Sequence, residues 1–132
     1  MRDPNNPCLF CNVEVTESNH ENELAYASYD SYPVSKLHCL IIPKRHIKDY
    51  FDLTKEELVA CNSLVRILKD EILEKDETVK GFNLGTNIGK VSGQSIMHCH
   101  FHLIPRRDGD VENPQGGVRS VIPKKQHYNR KI

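Results

Sequence analysis

His98-Cys99-His100-Phe101-His102-Leu103-Ile104 carries three histidines on alternate positions. In an extended strand alternate side chains share a face. The pattern therefore predicts a strand with His98, His100 and His102 on one side and Cys99, Phe101 and Leu103 on the other. The second set is apolar and can seat the strand on a core, while Ile104 marks where the polar face ends. Imidazole can act as nucleophile, general base, general acid or metal ligand near neutral pH. A row of three, in a chain with seven histidines, is a candidate site.

The flanking sequence supplies the rest of a sheet. Leu24 to Tyr29 reads as a strand, Asp30-Ser31-Tyr32-Pro33 as a turn, and His38 to Ile42 as a second strand closed by Pro43. Thr54-Lys55-Glu56-Glu57 is a capping box with Thr54 as N-cap. Leu58, Cys61, Val65, Leu68 and Ile72 then form an apolar stripe down a long amphipathic helix to about Glu74. Phe82, Leu84 and Thr86 alternate after Gly81 as a third strand. Strand, strand, helix, strand, strand is an α+β pattern with a mostly antiparallel sheet. From Arg106 the chain is polar and rich in Gly and Pro, which predicts an irregular tail.

Bulk properties exclude several classes. The chain has 132 residues, the size of one domain, and a formal net charge of zero. A duplex nucleic-acid binder needs a basic face to neutralise phosphates. Leu40-Ile41-Ile42 is far too short to span a bilayer, and Met1 to Pro7 lacks the apolar run of an export signal. Five cysteines cannot all pair internally. These features predict a cytoplasmic protein with reduced thiols and no membrane partner.

Three histidines spanning about 13 Å of strand cannot all reach one ion. A division of labour is more economical, with one end serving a structural metal and the middle ring doing chemistry. Cys8-Leu9-Phe10-Cys11 has the spacing of a zinc knuckle. With His46 and His98 it would complete a closed Cys2His2 site. A redox pair or two idle thiols is the competing reading. Gly89, Ser92, Gly93, Gln94 and Ser95 precede the histidines and supply amides, hydroxyls and a carboxamide, as a phosphate cradle does. An ordinary hairpin turn is the alternative there.

Gly93-Gln94-Ser95-Ile96-Met97-His98-Cys99-His100-Phe101-His102-Leu103-Ile104 resembles the signature of the histidine triad (HIT) family, in which histidines alternate with apolar residues. Leu40-Ile41-Ile42-Pro43-Lys44-Arg45-His46 resembles that family's second block, and Cys8-Leu9-Phe10-Cys11 the opening of its zinc-containing branch. The match covers about residues 8–105, leaving 106–132 as the tail of a single domain over 1–132. The resemblance implies a nucleotide hydrolase acting at the α-phosphate of a dinucleoside polyphosphate or an adenylyl conjugate. His100 would attack phosphorus and form a covalent nucleotidyl-histidine, with His102 beside the leaving oxygen. Ser95, Gln94 and Gly93 would meet the phosphates, Asn87 phosphate or sugar, and Asp30 the ribose. Phe10 and Val13 would line the base pocket, and His38 would stand beside the site. Cys8, Cys11, His46 and His98 would hold a structural zinc ion. Arg106-Arg107-Asp108-Gly109-Asp110 after the triad, the tail and the lack of tryptophan resemble bacterial-type members more than the phosphoramidase branch. The resemblance also implies a homodimer whose partner molecule is a small nucleotide, not a nucleic acid. The competing readings are a nucleotide-binding module with little turnover, a nucleotidyltransferase, and a metal-triad hydrolase that the strand geometry disfavours.

Overall fold

A computed structural model describes residues 6–12 and 20–129. Val13 lies outside the described residues. Strands β1 (His20–Glu21), β2 (Ala25–Tyr29) and β3 (Cys39–Pro43) precede helix α1 (Lys55–Lys75), and β4 (Val79–Gly85) and β5 (Phe101–Arg107) follow it. The sheet order is β1-β2-β3-β5-β4 and every pairing is antiparallel. The last strand therefore inserts between β3 and β4.

Every residue of β3 is buried, because both faces of this central strand are covered. Cys39 and Ile41 face α1, where they join Ala25, Ala27, Leu103 and the helix residues Cys61, Leu64, Leu68 and Ile72. Leu40 and Ile42 face the other way and pack with Tyr26 and Phe10. A continuous apolar run in a strand is the sequence mark of such two-sided burial. The N-terminal segment lies over this second face, tied down where the Tyr26 hydroxyl donates to the Phe10 carbonyl at 2.6 Å.

The capping box forms as read: the Glu57 amide donates to Thr54 Oγ1, and Glu57 Oε1 accepts from the Thr54 amide. The helix stripe is rotated from the expected one. Leu64 is buried and Leu58 is exposed, while Val65 sits at the margin. Both spacings fit a helix, and the sheet chose the face that also carries the Glu57 carboxylate inward to Arg45, which donates to it at 2.7 and 3.0 Å. That bidentate pair holds the Glu57 carboxyl below its usual range, chiefly through the Arg45 hydrogen bonds.

The histidine strand starts later than the alternation predicts. Regular pairing begins at Phe101, and residues 98–100 run outside the ladder. Their backbone is held by other contacts, the Cys99 amide on the Ile47 carbonyl and the Thr86 hydroxyl on the His100 carbonyl. The parity survives all the same. His102 lies opposite Leu40 and Leu103 opposite Cys39, so the histidines share the face of the N-terminal segment. The tail is less irregular than expected. Gly117–Val121 and Pro123–Lys125 are short 3-10 turns, and Gly117 lies against Asn83 of β4. All five cysteines are free, with Cys39, Cys61 and Cys99 buried.

Candidate active site

The two ends of the triad are separated by what stands behind each ring. His98 is fully buried, and its Nε2 lies 2.7 Å from the Pro43 carbonyl. A carbonyl only accepts, so Nε2 carries the proton and Nδ1 presents a lone pair. That lone pair faces Cys8 Sγ at 3.4 Å, Cys11 Sγ at 3.4 Å and His46 Nδ1 at 3.2 Å, with Cys11 Sγ to His46 Nδ1 also 3.2 Å. All four donor atoms lie within 4.8 Å of one another. Tetrahedral zinc with ordinary bond lengths separates its ligand atoms by roughly 3.3–3.8 Å. The donor set, the spacing and the carbonyl-anchored imidazole fit a closed zinc site. The segment bearing His46 is in turn fixed by the neighbouring Arg45–Glu57 pair, a connection the capping motif alone did not reveal.

His100 has the same logic with the nitrogens exchanged. Its Nδ1 lies 2.8 Å from the His98 carbonyl and must be the protonated nitrogen. Nε2 is left with a lone pair, the state a nucleophile needs. Phe10 packs edge-on against the ring at 4.9 Å and 74°.

His102 belongs to a relay. The Val34 amide donates to His38 Nδ1 at 3.1 Å. His38 therefore carries its proton on Nε2, which lies 2.9 Å from His102 Nδ1. His102 accepts there and keeps its own proton on Nε2. Burial, then the neighbouring His100 and His38, push the His102 ring down to about 4, with Asp30 opposing. Burial also lowers His38, against the pull of Asp30. Both rings are neutral at pH 7. Asp30, His38 and His102 also come within 4.8 Å of one another. The trio is nonetheless a poor metal site, because the Val34 amide forces a proton onto the very His38 nitrogen that would have to coordinate.

A cavity of about 550 Å³ opens beside these rings, lined by Phe10, Asp30, Asn87, Ser95, His100 and His102 of the expected set. Leu9, Tyr32, Leu40 and Ile96 are among its other walls and escaped the sequence reading as site residues, since nothing local distinguishes them from ordinary core or turn positions. Asp30 is preorganised, its Oδ1 accepting from the Tyr32 amide at 2.8 Å. His38 lines a second cavity next door, of about 580 Å³, which shares His102 and Asn87 with the first.

Gln94 and Gly93 do not line the first cavity. The Gln94 side chain is buried, accepting from the Gly89 amide at 2.9 Å and donating to the carbonyls of Lys48 at 2.7 Å and Ile96 at 3.1 Å. Its polar atoms shape the loop from within. Gly93 ends a 3-10 turn with φ +93°, and Gly89 opens it with φ +90°, a region other residues rarely adopt.

The HIT domain model matches residues 16–109. An uncharacterised HIT-like protein of Methanocaldococcus jannaschii is 35% identical over 119 residues, covering 86% of this chain and 91% of that protein. An adenylylsulfatase of Arabidopsis thaliana is 33% identical over 109 residues, 80% of this chain and 55% of that protein. Among solved structures, a zinc-bound histidine triad family protein from Mycobacterium smegmatis superposes with a TM-score of 0.71 at 28% identity, covering 81% of this chain and 80% of that one.

Proposed function

The chain belongs to the HIT family, and on that premise we propose that it hydrolyses nucleotides at the α-phosphate, taking a dinucleoside polyphosphate or an adenylyl conjugate. The observation that carries this reading is the fixed tautomer of His100. With Nδ1–H on the His98 carbonyl, the neutral ring offers its lone pair at Nε2 without any base to activate it. The His100 nitrogen forms a bond to phosphorus as the bond to the leaving oxygen breaks. The His102 Nε2–H stabilises that oxygen, and Ser95 and Asn87 receive the charge growing on the phosphoryl oxygens. Water then cleaves the nitrogen–phosphorus bond and releases a nucleoside monophosphate. Asp30 takes the ribose and Phe10 the base. Gln94 and Gly93 serve the phosphates indirectly, by shaping the loop that carries Ser95.

Zinc bound by Cys8, Cys11, His46 and His98 supplies a structural cross-link, tying the N-terminal segment to the start of the triad. Such a closed site has no position for substrate. The chain acts as a homodimer in the cytoplasm. An exposed edge at β4 and outward Val59 and Ile67 on α1 support the pairing, and no helix among the described residues is long and apolar enough to cross a membrane.

The test is a mass spectrum of protein quenched shortly after mixing with diadenosine tetraphosphate or adenylyl sulfate. An added adenylyl group on His100, absent in His100→Asn, is the expected result. Binding without adduct or product would leave a nucleotide-binding module.

A further inference from the structure

The pairing of β4 with β5 stops just short of His100. Asn83 lies opposite Ile104, Leu84 opposite Leu103 and Gly85 opposite His102, where the ladder ends. Continued by two residues, the same register would set Asn87 opposite His100. On the other side β3 gives out at Ile41, opposite Phe101. His100 is buried, yet it stands outside both pairings. A buried carbonyl needs a donor, and here no ladder amide supplies it. The Thr86 hydroxyl does, donating to the His100 carbonyl at 2.7 Å.

Other contacts share the task of aiming the ring. The Cys99 amide donates to the Ile47 carbonyl at 2.8 Å and fixes the peptide ahead of His100. The Nδ1–H of the ring lies on the His98 carbonyl and fixes the imidazole against its own chain. Thr86 fixes the peptide that follows, and it does so from the residue next to Asn87, which lines both cavities. The spacing between His100 and the Asn87 side chain is thus set through one hydroxyl and one peptide. Thr86 itself lines the second cavity. Its single proton is committed to the His100 carbonyl, so it has no donor left for a substrate.

We propose that Thr86 is a positioning residue for the nucleophile, a role that rests on the reading of His100 given above. Its hydroxyl holds the His100 carbonyl toward β4 and so sets the line along which Nε2 approaches phosphorus. Displacement at phosphorus tolerates little error in that line, since misplacing a reacting group by about 1 Å costs roughly 100-fold in rate. Ground-state binding rests on the walls of the first cavity, which this bond does not build.

Zinc-replete, full-length protein is compared with Thr86→Val, which keeps the shape and removes the hydroxyl, and with Thr86→Ser, which keeps the hydroxyl. Thr86 is only half-buried, so both variants should fold, and thermal melts check that they do. Thr86→Ala, which crowds nothing, takes the place of Thr86→Val if that variant does not. With diadenosine tetraphosphate or adenylyl sulfate as substrate, kcat of Thr86→Val should fall about 10- to 100-fold while KM stays within about twofold. Thr86→Ser should restore most of the lost rate. NMR of the imidazole nitrogens reads the ring directly. The parent should show a single His100 tautomer, protonated at Nδ1, and Thr86→Val should show the tautomers mixing. A lowered thermal midpoint with kcat and ring spectrum unchanged would make Thr86 a structural contact and overturn the proposal. A raised KM with kcat intact would overturn it by placing Thr86 against the substrate. Thr86→Ser as slow as Thr86→Val would do so by making the methyl group the cause. If the parent turns over neither substrate, the hydrolase reading fails and the ring spectrum decides: mixed tautomers in Thr86→Val would support positioning, and an unchanged ring would overturn it.

Discussion

The main-chain carbonyl of His98 accepts the Nδ1–H of His100 at 2.8 Å. One residue thus offers its ring to the Cys8–Cys11–His46 cluster and its backbone to the ring of the proposed nucleophile. The Pro43 carbonyl anchors the first ring in turn. The Cys/His cluster and the free Nε2 of His100 are consequently joined through a single peptide.

Metal loss should therefore register first in stability. Purified protein should contain about one zinc per chain by elemental analysis. Cys11→Ser should abolish that zinc and lower the thermal midpoint by roughly 10 °C, corresponding to about 3 kcal/mol. The kcat should fall by no more than about tenfold, since no ligand position faces substrate. A midpoint that stays put while activity vanishes would mean that the metal is not structural.

Gln94 makes a different prediction from a residue that touches phosphate. Gln94→Ala orphans the Gly89 amide and the carbonyls of Lys48 and Ile96, at about 1–3 kcal/mol for each group that water cannot reach. Gln94→Glu should be worse at neutral pH, because a carboxylate oxygen then faces two carbonyls, and acidification should relieve it. Calorimetric melts across pH decide the matter. Unchanged melts with a raised KM would return Gln94 to the substrate.

Ser95 and Asp30 line the same cavity but should separate kinetically. Ser95→Ala removes a donor to charge that develops in the transition state, typically a loss of about 100- to 1000-fold in kcat. On its proposed role Asp30 meets only the ribose, bound alike in both states, so in Asp30→Ala KM should rise with little change in kcat. Measuring both parameters for both variants tests the assignment, and exchanged effects would reverse the roles.

The depressed titration of His102 fixes a pH dependence of folding. Its ring sits at about 4 in the fold against about 6.5 unfolded, so between these values the unfolded chain binds the extra proton. Stability from this group is complete above pH 6.5 and is lost as pH falls toward 4, up to about 3 kcal/mol. Urea melts of the parent chain and of His102→Asn from pH 7 to 4.5 should differ in slope by about one proton. Equal slopes would show that the buried ring is not held neutral.

Much of this arrangement was legible in the sequence because it obeys short-range rules. The Thr54–Glu57 box and the apolar run of β3 are local patterns that became the elements they implied, and the histidine alternation kept its parity although only His102 of the three lies within β5. The exceptions depend on distant partners. Whether α1 buries Leu58 or Leu64 is decided by where Arg45 and the sheet lie. The late start of β5 follows from Ile47 and Thr86 taking the hydrogen bonds that a neighbouring strand would have taken. Gln94 looked like a phosphate contact because its amide chemistry suits one. Only the fold shows those atoms turned inward. Val34 enters through a backbone amide, to which its side-chain identity gives no clue.

Five thiols in one small chain invite a labelling experiment, and the fold has arranged its answer in advance. Cys39, Cys61 and Cys99 are walled in, and burial pushes each thiol up to about 12. Alkylating reagents attack thiolates, so these three should stay silent in native protein. Cys8 and Cys11 stand at the surface end of the cluster, only half-buried. A reagent that counts reactive sulfur thus becomes a gauge of metal occupancy, reading near two when the ion is stripped and near zero when it is bound.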